Sequence, residues 1–299
     1  MNKVKKSFGI RDLENLSGIK AHTIRIWEKR YNLLEPERTA TNIRTYSLKS
    51  LQKLLNITLL YNSGIKISKI AEIPEKEIPR RVREMVARKS AGSHAVNAFK
   101  MSMINFDQSL FQHTYNNLLA EKSFREIFWE VFIPLLEELG LLWQTDSIDP
   151  AHEHFITHLV KQKIVSSTEK IQAIEPTRTD KVFALFLPEN EIHEIGLLFV
   201  NYELILRGYR CVYLGASMPL EYLKDLTNYF DHLHFVSYFT VTPSRDNLKT
   251  YLNEFQDKLI DNDETRLWIL GRQGMHLRKE ELPSGIRVFD KINALLDSV

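Results

Sequence analysis

The chain has 299 residues, 43% of them hydrophobic, a net charge of +2 and one cysteine, Cys211. That length suits about two domains of about 150 residues each with ordinary buried cores, and a lone cysteine excludes disulfides and thiolate zinc sites. No apolar run reaches the roughly 18 residues of a membrane span, and no signal-peptide stretch follows the basic start MNKVKKSFGI, so the expected location is the cytoplasm, away from any membrane.

Charge is divided unevenly along the chain. Residues 1–90 carry 20 Lys and Arg against 9 Asp and Glu, while the remainder carries 20 against 29. A basic head on an acidic body points to a polyanion partner for the head and a different task for the body.

In chain order, residues 8–16 (FGIRDLENL) pattern as a short amphipathic helix, Ser17-Gly18-Ile19 as a turn, and residues 21–31 (AHTIRIWEKRY) as a second, cation-rich helix. Helix, glycine turn, helix is the helix-turn-helix pattern. Residues 33–46 (LLEPERTATNIRTY) follow, with Pro36 stopping the helix and two short extended pieces forming a wing. Apolar positions at Leu48, Leu51, Leu54, Leu55, Ile57, Leu59 and Leu60 give a further helix, and Ser63-Gly64 begins a last short one.

This head resembles the winged-helix DNA-binding domain of the MerR family of transcription regulators. The resemblance rests on Ile10, Leu13, Gly18, Ile19, Thr23-Ile24-Arg25, Trp27-Glu28, Leu33-Leu34, Pro36, Arg38-Thr39, Asn42, Arg44 and Tyr46 in that order and spacing. Trp27-Glu28 is similar to the branch whose effector domain binds cobalamin. The resemblance implies a second helix in the major groove with Lys20, His22, Thr23 and Arg25 facing DNA, arginine being the best-suited reader of guanine edges. Lys29, Arg30, Arg38, Asn42, Arg44 and Tyr46 complete the DNA-binding candidates, the cations among them holding phosphates, which sets register without reading sequence. A double-stranded operator with two half-sites then implies a homo-oligomer, a dimer or a tetramer.

Residues 72–93 are dense in charge and carry Pro74 and Pro79, a linker flowing into a helix, with the basic run Arg80-Arg81-Val82-Arg83 read as a solvated face. Residues 95–104, 107–120, 123–143 and 150–169 then pattern as four helices with short loops, an up-down bundle. The segment HEHFITH at 152–158 is not a zincin motif, because Ile156 stands where His-Glu-x-x-His needs its second histidine. His154 and His158 share a helix face, yet no third ligand at a suitable spacing completes a zinc site.

After a second linker at 173–180, strands expected at 182–187, 211–214, 234–239, 266–270 and 287–289 alternate with helices at 195–206, 219–230 and 244–259 and at the end of the chain. That alternation means a parallel, doubly wound sheet. No strand is followed by a glycine-rich dinucleotide fingerprint, and Gly271-Arg272-Gln273-Gly274 lacks its spacing. The apolar run KVFALFLP ends at Pro188 and the next helix begins near Ile195, so His193 lies at a strand's carboxyl end, where open α/β sheets place their ligands.

Glu191-x-His193-x-x-Gly196 resembles the corrinoid-ligating loop of cobalamin-binding domains, whose pattern is Asp-x-His-x-x-Gly; here Glu stands for Asp. Trp143, followed by Glu153-His154, resembles the cap of the same cobalamin-binding regulators, where the Trp covers the corrin's upper face with the Glu-His pair near it. The resemblance implies His193 as the lower axial ligand of cobalt in adenosyl- or methylcobalamin, Glu191 as the carboxylate on the far ring nitrogen, and Gly196 allowing close backbone approach. It also implies a slot beside the sheet for the displaced benzimidazole tail, lined by Ser237 and Gly271.

Two departures are visible in the residues. Arg272 replaces the second glycine usual in the slot, where its guanidinium either obstructs the tail or pairs with its phosphate; Gln144 stands where light-sensing members have a histidine after the cap Trp.

The sequence therefore reads as a multidomain protein. Its parts are a winged helix-turn-helix head at 1–75, a linker at 76–93, a four-helix-bundle cap at 94–172 and a flavodoxin-like, Rossmann-like α/β domain at 180–299. The expected function is a transcription regulator, not an enzyme, whose operator binding or oligomeric state is set by cobalamin. The alternatives are a cofactor-free regulator whose degenerate domain serves dimerisation or partner binding, and a corrinoid methyl-transfer protein.

Overall fold

The structure, a computed structural model, describes residues 7–39, 41–86, 92–144, 148–260, 264–278, 280 and 282–299. The chain divides into two compact units, Met1–Val160 and Lys161–Val299.

The first unit opens with β1 (Ser7–Gly9), α1 (Ile10–Ser17), α2 (Ala21–Tyr31), β2 (Glu37–Arg38) and β3 (Arg44–Ser47). Residues 7–9 pair antiparallel with β3, Ser7 opposite Ser47, making a sheet of order β1-β3-β2, so Phe8 and Gly9, expected as the start of the first helix, are strand instead. The wing strand supplies partners that a helix's first turn leaves open, and Asp12 Oδ2 accepts from the Gly9 N–H at 2.8 Å, so the helix begins two residues later, at Ile10. Leu13, Leu16, Ile24, Trp27, Leu33 and Leu34 are all buried, joined by Leu51, Leu54 and Leu55 of α3 (Leu48–Asn62). Ser47 caps that helix by accepting from the Ser50 N–H. The short α4 (Ile67–Ala71) and α5 (Ile78–Val86) follow.

Next come α6 (Gly92–Asn105), α7 (Gln108–Leu119), α8 (Phe124–Ile127), a π-helical turn at Phe128–Phe132, α9 (Ile133–Gln144) and α10 (Pro150–Gln172). Ser123 and Glu126 form a reciprocal capping box that starts α8. The bundle core is aromatic: Phe99 and Phe111 lie 4.7 Å apart, with Phe128 and Phe132 also buried.

The second unit is built on β4 (Arg178–Pro188), α11 (Ile195–Leu206), β5 (Tyr209–Met218), a 3-10 helix (Leu220–Asn228), β6 (Leu233–Tyr238), α12 (Leu248–Leu259), β7 (Arg266–Leu270), β8 (Ile286–Val288) and α13 (Ile292–Leu296). All strand pairs are parallel and the order is β5-β4-β6-β7-β8, the flavodoxin-like arrangement. The helix expected at 219–230 is 3-10 because its core-facing leucines, Leu220, Leu223 and Leu226, repeat every three residues. β4 lies between β5 and β6, and the chain reverses its winding between β4 and β6. The loops after those two strands thus form the crevice where this fold binds ligands. Among the described residues no helix is long and apolar enough to cross a membrane.

Candidate functional site

The crevice is organised by one carboxylate. Glu191 is fully buried in the loop between β4 and α11. Its Oε1 accepts from the N–H groups of Ile192 (3.0 Å) and His193 (3.1 Å) and lies 2.5 Å from His193 Nδ1. Its Oε2 accepts from the N–H groups of Thr240 (3.2 Å), Val241 (2.6 Å) and Thr242 (2.9 Å) in the loop after β6. Burial pushes the Glu191 pKa up, but the Thr242 and Val241 N–H groups and His193 outweigh it and hold the carboxyl at about 2.

An ionised carboxylate only accepts, so Nδ1 of His193 carries a proton, and in the neutral ring it is Nε2 that offers the lone pair. The His193 side chain is 51% exposed. Two apolar residues of the same pair of loops are also exposed, Ile192 beside it in sequence and Val241 on the loop that Glu191 holds. A fixed, outward imidazole with an apolar surround suits a flat, largely apolar ligand that binds through a metal. Among the described residues no group of three or more His, Cys, Asp or Glu forms a metal cluster. A single imidazole ligates a metal firmly when a macrocycle brings the remaining donors, as a corrinoid does.

The loop is anchored on its other side as well. Asn190 N–H donates to Ser217 Oγ at 3.1 Å, and Ser217 N–H donates to the Glu191 carbonyl at 3.1 Å. Glu194, next to His193, pairs with Lys161 of α10 and accepts from Tyr213 OH at 2.9 Å. None of the N–H groups that donate to Glu191 is signalled by the sequence, since backbone donors leave no side-chain pattern.

The residues expected to line a tail slot are placed differently. Ser237 is fully buried and its hydroxyl donates to the Phe186 carbonyl of β4 at 2.8 Å. Successive strand residues point to opposite faces, so it is Tyr238 that faces α11. A Cβ on Gly196 would stand 2.6 Å from Tyr238 Cε2, which means the ring lies on the bare helix backbone. Gly271 (φ +97°) packs so tightly on Phe239 that a Cβ would stand 2.4 Å from its carbonyl oxygen; its lack of a side chain serves the sheet's own packing. Arg272 is exposed. The imidazole and its carboxylate therefore fit a corrinoid's lower axial position, and the Tyr238 ring occupies the surface of α11 at Gly196.

In the helical segment, Glu153 and His154 lie in the first turns of α10, Glu153 half-buried and His154 exposed. Their neighbour His152 is buried and stacked on Phe106 at 4.6 Å. Trp143 and Gln144 end α9, and their side chains fall outside the described residues.

In the head, Lys20, His22, Arg25, Lys29 and Arg30 are exposed on or beside α2 and Thr23 is half-buried, opposite the buried Ile24 and Trp27. Arg38 and Asn42, both exposed, hydrogen-bond each other across the wing at 2.5 Å. Tyr46 departs from the expectation that it faces DNA: it is 1% exposed and its hydroxyl donates to Glu28 Oε2 at 3.0 Å. Arg44 Nε donates to Glu28 Oε1, also at 3.0 Å. Glu28 thereby ties the wing to the second helix.

Residues 8–77 match the model of the MerR HTH family regulatory proteins, and residues 95–165 match that of the B12 binding domain. The chain is 29% identical over 223 residues to the HTH-type transcriptional repressor CarH of Myxococcus xanthus, covering 72% of this chain and 73% of that protein. It is 25% identical over 219 residues to the HTH-type transcriptional repressor CarA of the same organism, covering 72% and 70%. In fold it is similar to the monomethylamine corrinoid protein of Methanosarcina barkeri, with a TM-score of 0.56 at 13% identity over 70% of this chain and all of that one. That last likeness is one of architecture alone.

Proposed function

We propose that the chain is a DNA-binding transcription regulator in which a corrinoid, adenosyl- or methylcobalamin, is held on His193 and controls operator binding or assembly. The observation that carries the reading is the Glu191–His193 pair at the sheet's switch point, an imidazole whose Nδ1 is committed and whose Nε2 faces outward. The B12 binding domain match upstream and the two related repressors support it.

A corrinoid bound there would supply a cobalt centre; His193 would be the residue that holds it, and Glu191 would fix the ring's tautomer and raise its basicity. Trp143, Glu153 and His154 are the proposed cofactor residues of the helical segment. In the head, Lys20, His22, Thr23 and Arg25 read the major groove, and Lys29, Arg30 and Arg38 hold phosphates. Glu28, through Arg44 and Tyr46, sets the wing's angle to the reading helix. A homo-oligomer presenting two heads matches two half-sites, and control requires the corrinoid to favour one assembly over another.

The test is an absorption titration of the full chain with methylcobalamin. The expected result is a base-off, histidine-on spectrum that His193→Ala abolishes; unchanged spectra of the wild type with both methylcobalamin and methylcobinamide, which lacks the nucleotide tail, contradict the reading.

A further inference from the structure

We infer that Tyr238 is a built-in plug that makes the His193 site selective for corrinoids with no nucleotide tail over intact cobalamin. The inference rests on the corrinoid reading and names the ligand class within it. Cobalamin carries on its lower face a nucleotide ending in a benzimidazole, and when a protein imidazole takes the lower position that base leaves cobalt and needs room beside the imidazole.

The adjoining surface here is the first turn of α11, one helical turn past His193, where Gly196 leaves the backbone bare. Tyr238 lies on it, with Cε2, Cζ and Cδ2 at 2.6, 2.9 and 3.0 Å from where a Cβ on Gly196 would stand. A ring in van der Waals contact with helix backbone leaves no space there for a second aromatic system.

Two features make the ring a plug and not a gate. Thr240, Val241 and Thr242, which follow it, are pinned by three N–H bonds to Glu191 Oε2, so the backbone that would swing the ring outward is fixed. Among the described residues the Tyr238 hydroxyl has no hydrogen-bond partner, so packing alone holds the ring and its removal strands no polar group. Ser237, the neighbouring residue that might have greeted a tail, has its hydroxyl committed to Phe186 on β4.

The experiment compares methylcobinamide, which lacks the nucleotide, with methylcobalamin by absorption titration of the full-length chain. The wild type is expected to bind methylcobinamide about tenfold or more tighter than methylcobalamin, and Tyr238→Ala to remove most of that ratio by gaining affinity for methylcobalamin. Unchanged methylcobinamide binding by the variant doubles as its folding check; if Tyr238→Ala does not fold, Tyr238→Leu, which keeps an apolar contact but shortens it, is expected to shift the ratio in the same direction. Equal binding of both corrinoids by the wild type, unaltered in the variants, overturns the plug and leaves His193 as ligand. No spectral change with either corrinoid, in wild type or variant, removes the corrinoid reading and this inference with it.

Discussion

Two glutamates, Glu28 in the head and Glu191 in the sheet domain, each join two pieces of backbone, and they do so by opposite means. Glu28 is partly accessible and accepts from two side chains, Arg44 and Tyr46. Glu191 is fully buried and accepts from five backbone N–H groups and one imidazole. The first is a latch that can be remade in part, because Glu28 and one of its partners, Arg44, have solvent within reach. The second is part of the loop's fold, because removing it leaves donors with no other acceptor.

The largest expected effect follows from that contrast. Glu191→Ala strands the N–H groups of Thr240, Val241 and Thr242, and the predicted cost to the second unit is about 3 to 5 kcal/mol in a urea unfolding curve. A cost below about 1 kcal/mol would show that water replaces the carboxylate and would erase the distinction from Glu28.

Acid titration sharpens the same point. The folded Glu191 pKa is about 2, below the ordinary 4.5, so its ionised form stabilises the native state. That contribution, on the order of 3 kcal/mol, is complete above about pH 4.5 and is lost as pH falls through about 2. Unfolding free energy measured across this window should fall more steeply for the wild type than for Glu191→Gln; identical slopes would mean the carboxylate gains nothing from its donors.

A smaller effect is expected at Gly196, where Ala forces the Tyr238 ring to shift. Overpacking of this kind costs about 1 to 3 kcal/mol, and in a Tyr238→Ala background the same change should cost little. A cost unchanged in that background would place the strain elsewhere.

Smallest is Glu28→Ala, predicted at about 1 kcal/mol in stability. Its main readout is DNA binding, since an untied wing weakens its hold on phosphates while leaving the reading helix intact. A shallower slope of log affinity against log salt is the expected signature, reduced by roughly 0.9 for each phosphate the wing no longer neutralises. An unchanged slope would mean the wing keeps its place without Glu28.

The same contrast explains what was legible in the sequence. The strand, loop and helix around His193 could be read because apolar runs and a side-chain motif carry them, and the helix-turn-helix because its core spacing does. What closes the crevice could not be read. Thr240, Val241 and Thr242 act through backbone N–H groups, which any residue but proline supplies. The tail-slot position was placed on Ser237, one residue from Tyr238, and in a strand one residue is the difference between two faces. Tyr46 counts among the DNA-binding candidates through the family resemblance alone, but its ring is core and its partnership with Glu28 gives the reason it is there.

In the proposed function a corrinoid on His193 governs the head. Binding of the full-length wild type and His193→Ala to a labelled operator fragment selected with the wild type, with and without methylcobinamide or methylcobalamin, tests it most directly. Corrinoid is expected to change the wild-type affinity or the stoichiometry of the complex and to leave His193→Ala unaffected. Equal responses in both proteins, or none in either, would contradict it.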